Sequence, residues 1–189
     1  GRGAFNNVQQ ARLNKTKLFN HDRESFMQHL AFSIQRVVNK AAKLGLSPVI
    51  RLNGTSDIQF EKIPLTHNGV EYKNIFELFS GVQFYDYTKV IGRKVADYSN
   101  YHLTFSAADG NDADVTKAIE QGYNVATVFG LKKTQPMPET YNGRPVFNGD
   151  DSDLRFLDPK GVIVGLYAKG RAKKDTSGFV KMIQLQAVA

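Results

Sequence analysis

The chain has no cysteine among its 189 residues. Disulfides, thiolate zinc sites, cysteine nucleophiles and cysteine-held iron–sulfur clusters are therefore excluded for these residues. Histidine is scarce, with four at positions 21, 29, 67 and 102. Only His21 and His29 fall near one another, and their spacing is too wide for the i, i+4 geometry that lets one helix offer two metal ligands. No apolar run approaches the roughly 20 residues of a membrane span, and no secretory signal pattern is visible, so a soluble intracellular protein is expected. Neither G-x-G-x-x-G nor G-x-x-x-x-G-K occurs, and serine hydrolase signatures are missing as well. There is also no initial Met: the chain opens Gly1-Arg-Gly-Ala, which leads us to expect that an upstream segment precedes it.

What is present fits a single α/β domain spanning 1–189, long enough for a full core. Hydrophobic residues make up 41% and charged residues 23%, which rules against wholesale disorder. Against 18 Asp plus Glu stand 25 Lys plus Arg, a formal charge of +7. Such an excess favours an anionic partner, nucleic acid first; a solvated basic surface is the plainer alternative.

The chain is organised around Pro48-Val-Ile-Arg-Leu-Asn-Gly-Thr-Ser-Asp57, an apolar run ending in small polar groups. Before it, residues 5–19 predict a helix carrying Arg12, Lys15 and Lys17. A second helix is predicted between a cap at Asp22 and a stop at Gly45, with Phe26, Leu30, Ile34, Val37, Ala41 and Leu44 as its apolar stripe. Beyond Asp57, Asn68-Gly69 is a tight turn and Tyr72 to Phe79 a short amphipathic helix. Strands are expected over 82–87, 101–106, 124–129 and 162–168, helices over 90–98 and from Asn111 or Asp112 to Gly122, and a long loop over 130–145. Asp158-Pro-Lys-Gly161 is a turn, and a closing strand runs from Phe179 to Val188. The pattern predicts repeated βα units on a mainly parallel sheet, either open or curled into a partial (β/α) barrel, with N-terminal helices and a C-terminal strand pair.

In parallel α/β folds the loops after the strands' C-terminal ends build the site. That rule places Asn53, Ser56, Asp57, Asp86, Thr88, Lys89 and Ser106 on one rim, with Asp109 and Asn111 beyond the third strand. Asp57, Asp86 and Lys89 could form a carboxylate pair with a cation, suited to acid–base work or to a hard metal. Alternatively the two aspartates cap helices and bind loop amides. A metal-nuclease pattern fails, because Asp86 and Lys89 fall on opposite faces of a strand. Asp150, Asp151 and Asp153 could bind a divalent cation through carboxylate oxygens, but they lack the regular calcium-loop pattern, and a solvated turn is the plainer reading. Lys169, Arg171, Lys173 and Lys174 could grip phosphates beside Tyr167 and Phe179, or form an exposed basic loop.

Five stretches also carry a family likeness: Gly1 to Thr16, Arg51-Leu-Asn-Gly-Thr-Ser-Asp57, Phe84-Tyr-Asp-Tyr-Thr-Lys89, Leu103-Thr-Phe-Ser106 and Asp153-Leu-Arg-Phe-Leu-Asp-Pro-Lys-Gly-Val162. Over nearly the whole chain they resemble the phage and prophage family called gene product 88-like. Members of that family carry closely spaced cysteines just upstream of the Gly-Arg-Gly. The resemblance therefore implies a phage protein of the bacterial host cytoplasm, present here as a fragment without its cysteine segment. The strand endings are also similar, more distantly, to radical-S-adenosylmethionine-like phage barrels. That likeness implies an iron–sulfur cluster and S-adenosylmethionine only in a longer form, with Asn53, Ser56, Asp57, Thr88, Lys89 and Ser106 around a nucleotide-like ligand.

The functional expectation is a DNA-binding protein of phage DNA metabolism, gripping phosphates through Arg12, Lys15, Lys17, Lys169, Arg171, Lys173 and Lys174, with no membrane partner and no cofactor in this chain. The alternatives are a nucleotide- or nucleic-acid-modifying enzyme using Asp57, Asp86 and Lys89, and a structural virion component.

Overall fold

A computed structural model of the chain describes residues 5–183. These residues fall into two compact units, one of residues 5–50 and 59–83 and the other of 51–58 and 84–183.

The first unit begins with two helices, α1 (Asn6–His21) and α2 (Arg23–Lys43). Asp22 serves both: its backbone N–H donates to the Leu18 carbonyl to end α1, and its Oδ1 accepts from Ser25 N at 2.9 Å to start α2. Phe19 and Phe26 pack edge-to-face across this corner at 5.2 Å, with the Arg23 guanidinium 4.7 Å from the Phe19 ring. At its other end α2 closes in a Schellman motif, Leu46 N donating to Ala41 O and Gly45 N to Ala42 O, with Gly45 at φ +64°. Both ends stand where the sequence predicts them. The buried stripe is rotated by about one residue, however: Met27, Ala31, Ile34 and Ala41 are buried, whereas Val37 and Leu44 are exposed. Ala31 is small enough for close packing, and the neighbouring Gln28 amide donates to the Thr66 carbonyl.

A short strand β1 (Val49–Ile50) is all that forms of the expected organising strand. Farther along, β2 (Leu65–His67) and β3 (Val70–Tyr72) pair antiparallel around Asn68 and Gly69, whose φ of 50° and 78° make the two-residue hairpin turn expected of Asn-Gly. The short helix α3 (Ile75–Leu78) starts later than predicted, because buried Asn74 caps it by accepting from Phe76 N and Glu77 N, each at 3.1 Å.

The second unit holds β4 (Gln83–Thr88), β5 (Tyr101–Ser106), α4 (Asp112–Glu120), β6 (Asn124–Phe129), β7 (Thr140–Tyr141), β8 (Arg144–Asn148), β9 (Ile163–Tyr167) and β10 (Val180–Lys181). Its strands run in the order β4-β5-β6-β9-β8-β7, and β10 also pairs with β6. Every pairing is parallel except β7 with β8. The sheet is open and is not a closed barrel. One face packs under α4 through Phe105, Val115, Ala118, Val125, Phe129 and Ile163. On the other, Ala126, Val162 and Val164 meet Tyr87, Phe147 and Leu166. Burial on both faces explains why these strands appear in the sequence as continuous apolar runs.

Two connections depart from expectation. The link from Val90 to Asn100 forms no helix. Its bonds are turn bonds, Tyr98 N to Val95 O and Tyr101 N to Tyr98 O, and Gly92 sits at φ +73°. Buried Arg93 anchors it to Asp57 and Tyr101, and long-range bonds of this kind replace the local helical ladder. The expected loop over 130–145 ends in a hairpin, turned by Asn142 and Gly143 at φ 48° and 71°. Of the predicted closing strand, Val180–Lys181 forms, and residues 184–188 lie outside the described part. No described helix is long and apolar enough to cross a membrane.

Candidate functional site

The loop between Arg51 and Ile58 folds onto β4 through a connected set of polar side chains. Asp86 is at its centre, fully buried on β4. Its Oδ1 accepts from Asn53 N at 2.7 Å, and its Oδ2 accepts from Asn53 Nδ2 and Tyr101 Oη, both at 3.1 Å. Asn53 closes the loop on itself: its Oδ1 accepts from Ser56 Oγ at 2.8 Å and Ile58 N at 2.9 Å, and its Nδ2 also donates to Ile58 O at 3.0 Å. Burial pushes the Asp86 carboxyl up to about 6, although the bonds from Asn53 and Tyr101 and the charge of Arg51 oppose that rise.

Asp57 makes a second knot. Its Oδ2 accepts from Thr88 Oγ1 at 3.0 Å and Lys89 N at 2.7 Å, and its Oδ1 pairs with Arg93 Nη1 at 3.1 Å. Arg93 Nη2 donates to Tyr101 Oη at 3.0 Å, which links the two knots through buried groups. Of the predicted rim residues, Asn53, Ser56, Asp57, Asp86 and Thr88 are thus brought together. Lys89 joins by its backbone amide, and its side chain is exposed. Strand alternation is the reason, since Asp86 and Thr88 share the inward face that Lys89 leaves. Ser106 enters a separate knot, its carbonyl accepting from Asn111 Nδ2 at 3.0 Å while Asn111 Oδ1 accepts from Ala108 N at 2.7 Å. Chemically the Asp57 and Asp86 arrangement is a clamp that fixes a loop; both carboxylates spend their oxygens on backbone amides and neighbouring side chains.

The predicted phosphate-gripping residues form two separate groups. Arg12, Lys15 and Lys17 are exposed on α1, which has no buried residue. Arg171, Lys173 and Lys174 are exposed on a 3-10 turn over Gly170–Lys174. None of these six forms an ion pair among the described residues. Lys169 differs, pairing with Asp150 Oδ1 at 2.5 Å. Asp150 also accepts from Tyr167 N at 3.2 Å, and the Tyr167 hydroxyl donates to Gln135 O at 2.8 Å, which ties that ring to the fold. Asp151 accepts from Asn148 Nδ2 at 2.8 Å, in keeping with a turn. No cluster of three or more His, Asp and Glu suited to a metal occurs among the described residues. With no cysteine, the chain also offers no thiolate for an iron–sulfur cluster.

Sequence reasoning missed Arg93 and Tyr101, which join the two aspartates. It also missed Arg155, fully buried 3.3 Å from Asp158, whose carboxyl burial pushes up. No local pattern marks a buried arginine; the one usable signal was the excess of polar residues in a segment lacking a helical stripe.

Neither a curated protein nor a solved structure matches the chain. The family model described as Gene product 88 matches residues 1–182, and the chain belongs to that family.

Proposed function

We propose that this protein binds nucleic acid, acting on DNA in phage DNA metabolism within the bacterial host cytoplasm. The observation that carries the reading is α1. This helix of 16 residues contains no Asp or Glu and buries none of its side chains. It presents Arg12, Lys15 and Lys17 among the exposed carboxamides Asn6, Asn7, Gln9, Gln10, Asn14 and Asn20. Its apolar side chains are confined to part of the helix, with Val8, Leu18 and Phe19 half-buried and Phe19 packed on Phe26, so the cations and carboxamides stay open to solvent. Guanidinium and ammonium groups bind phosphates, and carboxamides bind sugars, phosphates and base edges. Arg171, Lys173 and Lys174 supply a second, independent phosphate contact. The Asp57 and Asp86 clamp belongs to the framework in this account, not to a reaction.

Non-specific affinity of this kind falls at about 10⁻⁴ to 10⁻⁶ M at physiological salt. Fluorescence anisotropy with a labelled DNA oligonucleotide, single-stranded and duplex, measures it. Replacing Arg12, Lys15 and Lys17 by Ala should weaken binding at low salt by about tenfold or more with the far-UV circular dichroism unchanged. Equal affinity in the variant, or no binding by the wild type at any salt, would refute the reading.

A further inference from the structure

On the second unit, where β5 and β6 begin, lies an open cleft of about 680 Å³, lined in part by Arg93 and Tyr101 of the clamp. We propose that this cleft is a binding site for a nucleoside monophosphate, a small-ligand site distinct from the DNA contact of α1.

Two lysines carry the argument. Lys94 and Lys160 both line the cleft, and neither forms an ion pair among the described residues. Each rides on backbone fixed by a neighbour. The Tyr123 hydroxyl donates to Arg93 O at 3.0 Å, which holds the residue before Lys94. Asn124 grips the turn on both sides of Lys160: its Nδ2 donates to Pro159 O at 2.7 Å, and its Oδ1 accepts from Gly161 N at 2.8 Å. Tyr123 and Asn124, consecutive where the chain enters β6, thus fix the backbone beside both lysines that line the cleft. Fixing the backbone beforehand lowers the ordering cost of binding. A phosphate monoester, near −2 at neutral pH, matches two ammonium groups better than a singly charged acid does.

The remaining lining suits a planar base and a sugar. Tyr98 and His102 are half-buried and offer ring surface for stacking. Burial lowers the His102 pKa, and the positive charges of Arg155 and Lys160 lower it further. His102 is therefore neutral at pH 7; its Nε2 lies 3.4 Å from Thr104 Oγ1, which leaves Nδ1 for a ligand. Asp97, the one carboxylate in the lining, is exposed and offers an acceptor for ribose hydroxyls. The volume lies within the roughly 300–1,000 Å³ of small-ligand sites. The irregular link from Val90 to Asn100, where a crossover helix is usual, forms one wall of the cleft.

Isothermal titration calorimetry of the whole chain with adenosine 5′-monophosphate and cytidine 5′-monophosphate tests this, alongside adenosine and inorganic phosphate. The expected result is saturable binding of both nucleotides with Kd of about 1 mM or tighter, and binding of adenosine or phosphate weaker by about tenfold or more. The Lys94→Ala/Lys160→Ala variant should lose about tenfold; both side chains are exposed, and circular dichroism verifies that the fold persists. The α1 variant should bind the nucleotides as the wild type does. Lack of nucleotide binding, equal affinity for phosphate alone, or undiminished binding by the double-lysine variant would each overturn the proposal. So would loss of nucleotide binding in the α1 variant, which would assign the ligand to that helix.

Discussion

Replacing Asp86 by Asn probes the carboxylate at the centre of the loop clamp. Burial raises its pKa from 3.8 to about 6. The folded chain therefore holds a proton that the unfolded chain has already released. This contribution to stability is fully present below about pH 3.8 and is lost as the pH rises through about 6. At about 1.4 kcal/mol per pH unit, the whole effect is about 3 kcal/mol, of which about 2.5 kcal/mol falls between pH 4 and 7. The carboxamide of the variant keeps the shape but cannot titrate, so the stability difference between wild type and variant should shrink by about 2.5 kcal/mol across that range. Taking the difference cancels carboxylates that titrate in both proteins, including Asp22 and Asp175, whose pKa values are lowered and whose contributions run the opposite way. Urea unfolding followed by circular dichroism at pH 4, 5, 6 and 7 gives the two curves, provided the m-value is the same for both proteins. Curves that stay parallel within about 0.5 kcal/mol would show that Asp86 is not the buried, proton-holding group described above.

Two further substitutions test the packing around this framework. Asn53→Ala removes a side-chain donor from Asp86 and the acceptor of Ser56 and Ile58 N, so urea unfolding should show a loss of about 2–4 kcal/mol; a loss under about 1 kcal/mol would mean that water replaces the clamp. The Asn53 backbone N–H still reaches Asp86 in that variant, which limits the damage. Gly149→Ala would drive a methyl group into Val164 and to 2.5 Å from Nη1 of the buried Arg155, whereas nothing lies within 4 Å of a methyl at Gly54. Thermal melts should show a cost of about 2 kcal/mol or more at Gly149 and a change within about 1 kcal/mol at Gly54; similar melting temperatures for the two variants would count against the packing.

Local signals explain what the sequence made legible. Asp22, Gly45 and Asn68-Gly69 act through bonds within a few residues, so helix ends and hairpin turns appear where they were expected. The strands β5, β6 and β9 were visible as apolar runs bounded by turn residues. The organising strand shrank to Val49–Ile50 because the Asn53 amide bonds to the Asp86 carboxylate and not to a neighbouring strand. The convergence of Asn53, Asp57, Asp86 and Thr88 followed from the general geometry of parallel sheets. What each carboxylate does there depends on Arg93 and Tyr101, placed by contacts far apart in sequence, and no periodicity reports those. The stripe on α2 was displaced for a similar reason, since the choice between adjacent apolar faces is made by what packs against them.

The most direct test of the central claim is the salt dependence of DNA binding by the wild type and the Arg12→Ala/Lys15→Ala/Lys17→Ala variant. Each phosphate neutralised contributes about 0.9 to the slope of log K against log salt concentration on duplex DNA. Three contacts from α1 predict a wild-type slope steeper than the variant's by about 2.7. Equal slopes, or a wild-type affinity independent of salt, would contradict nucleic-acid binding through this helix.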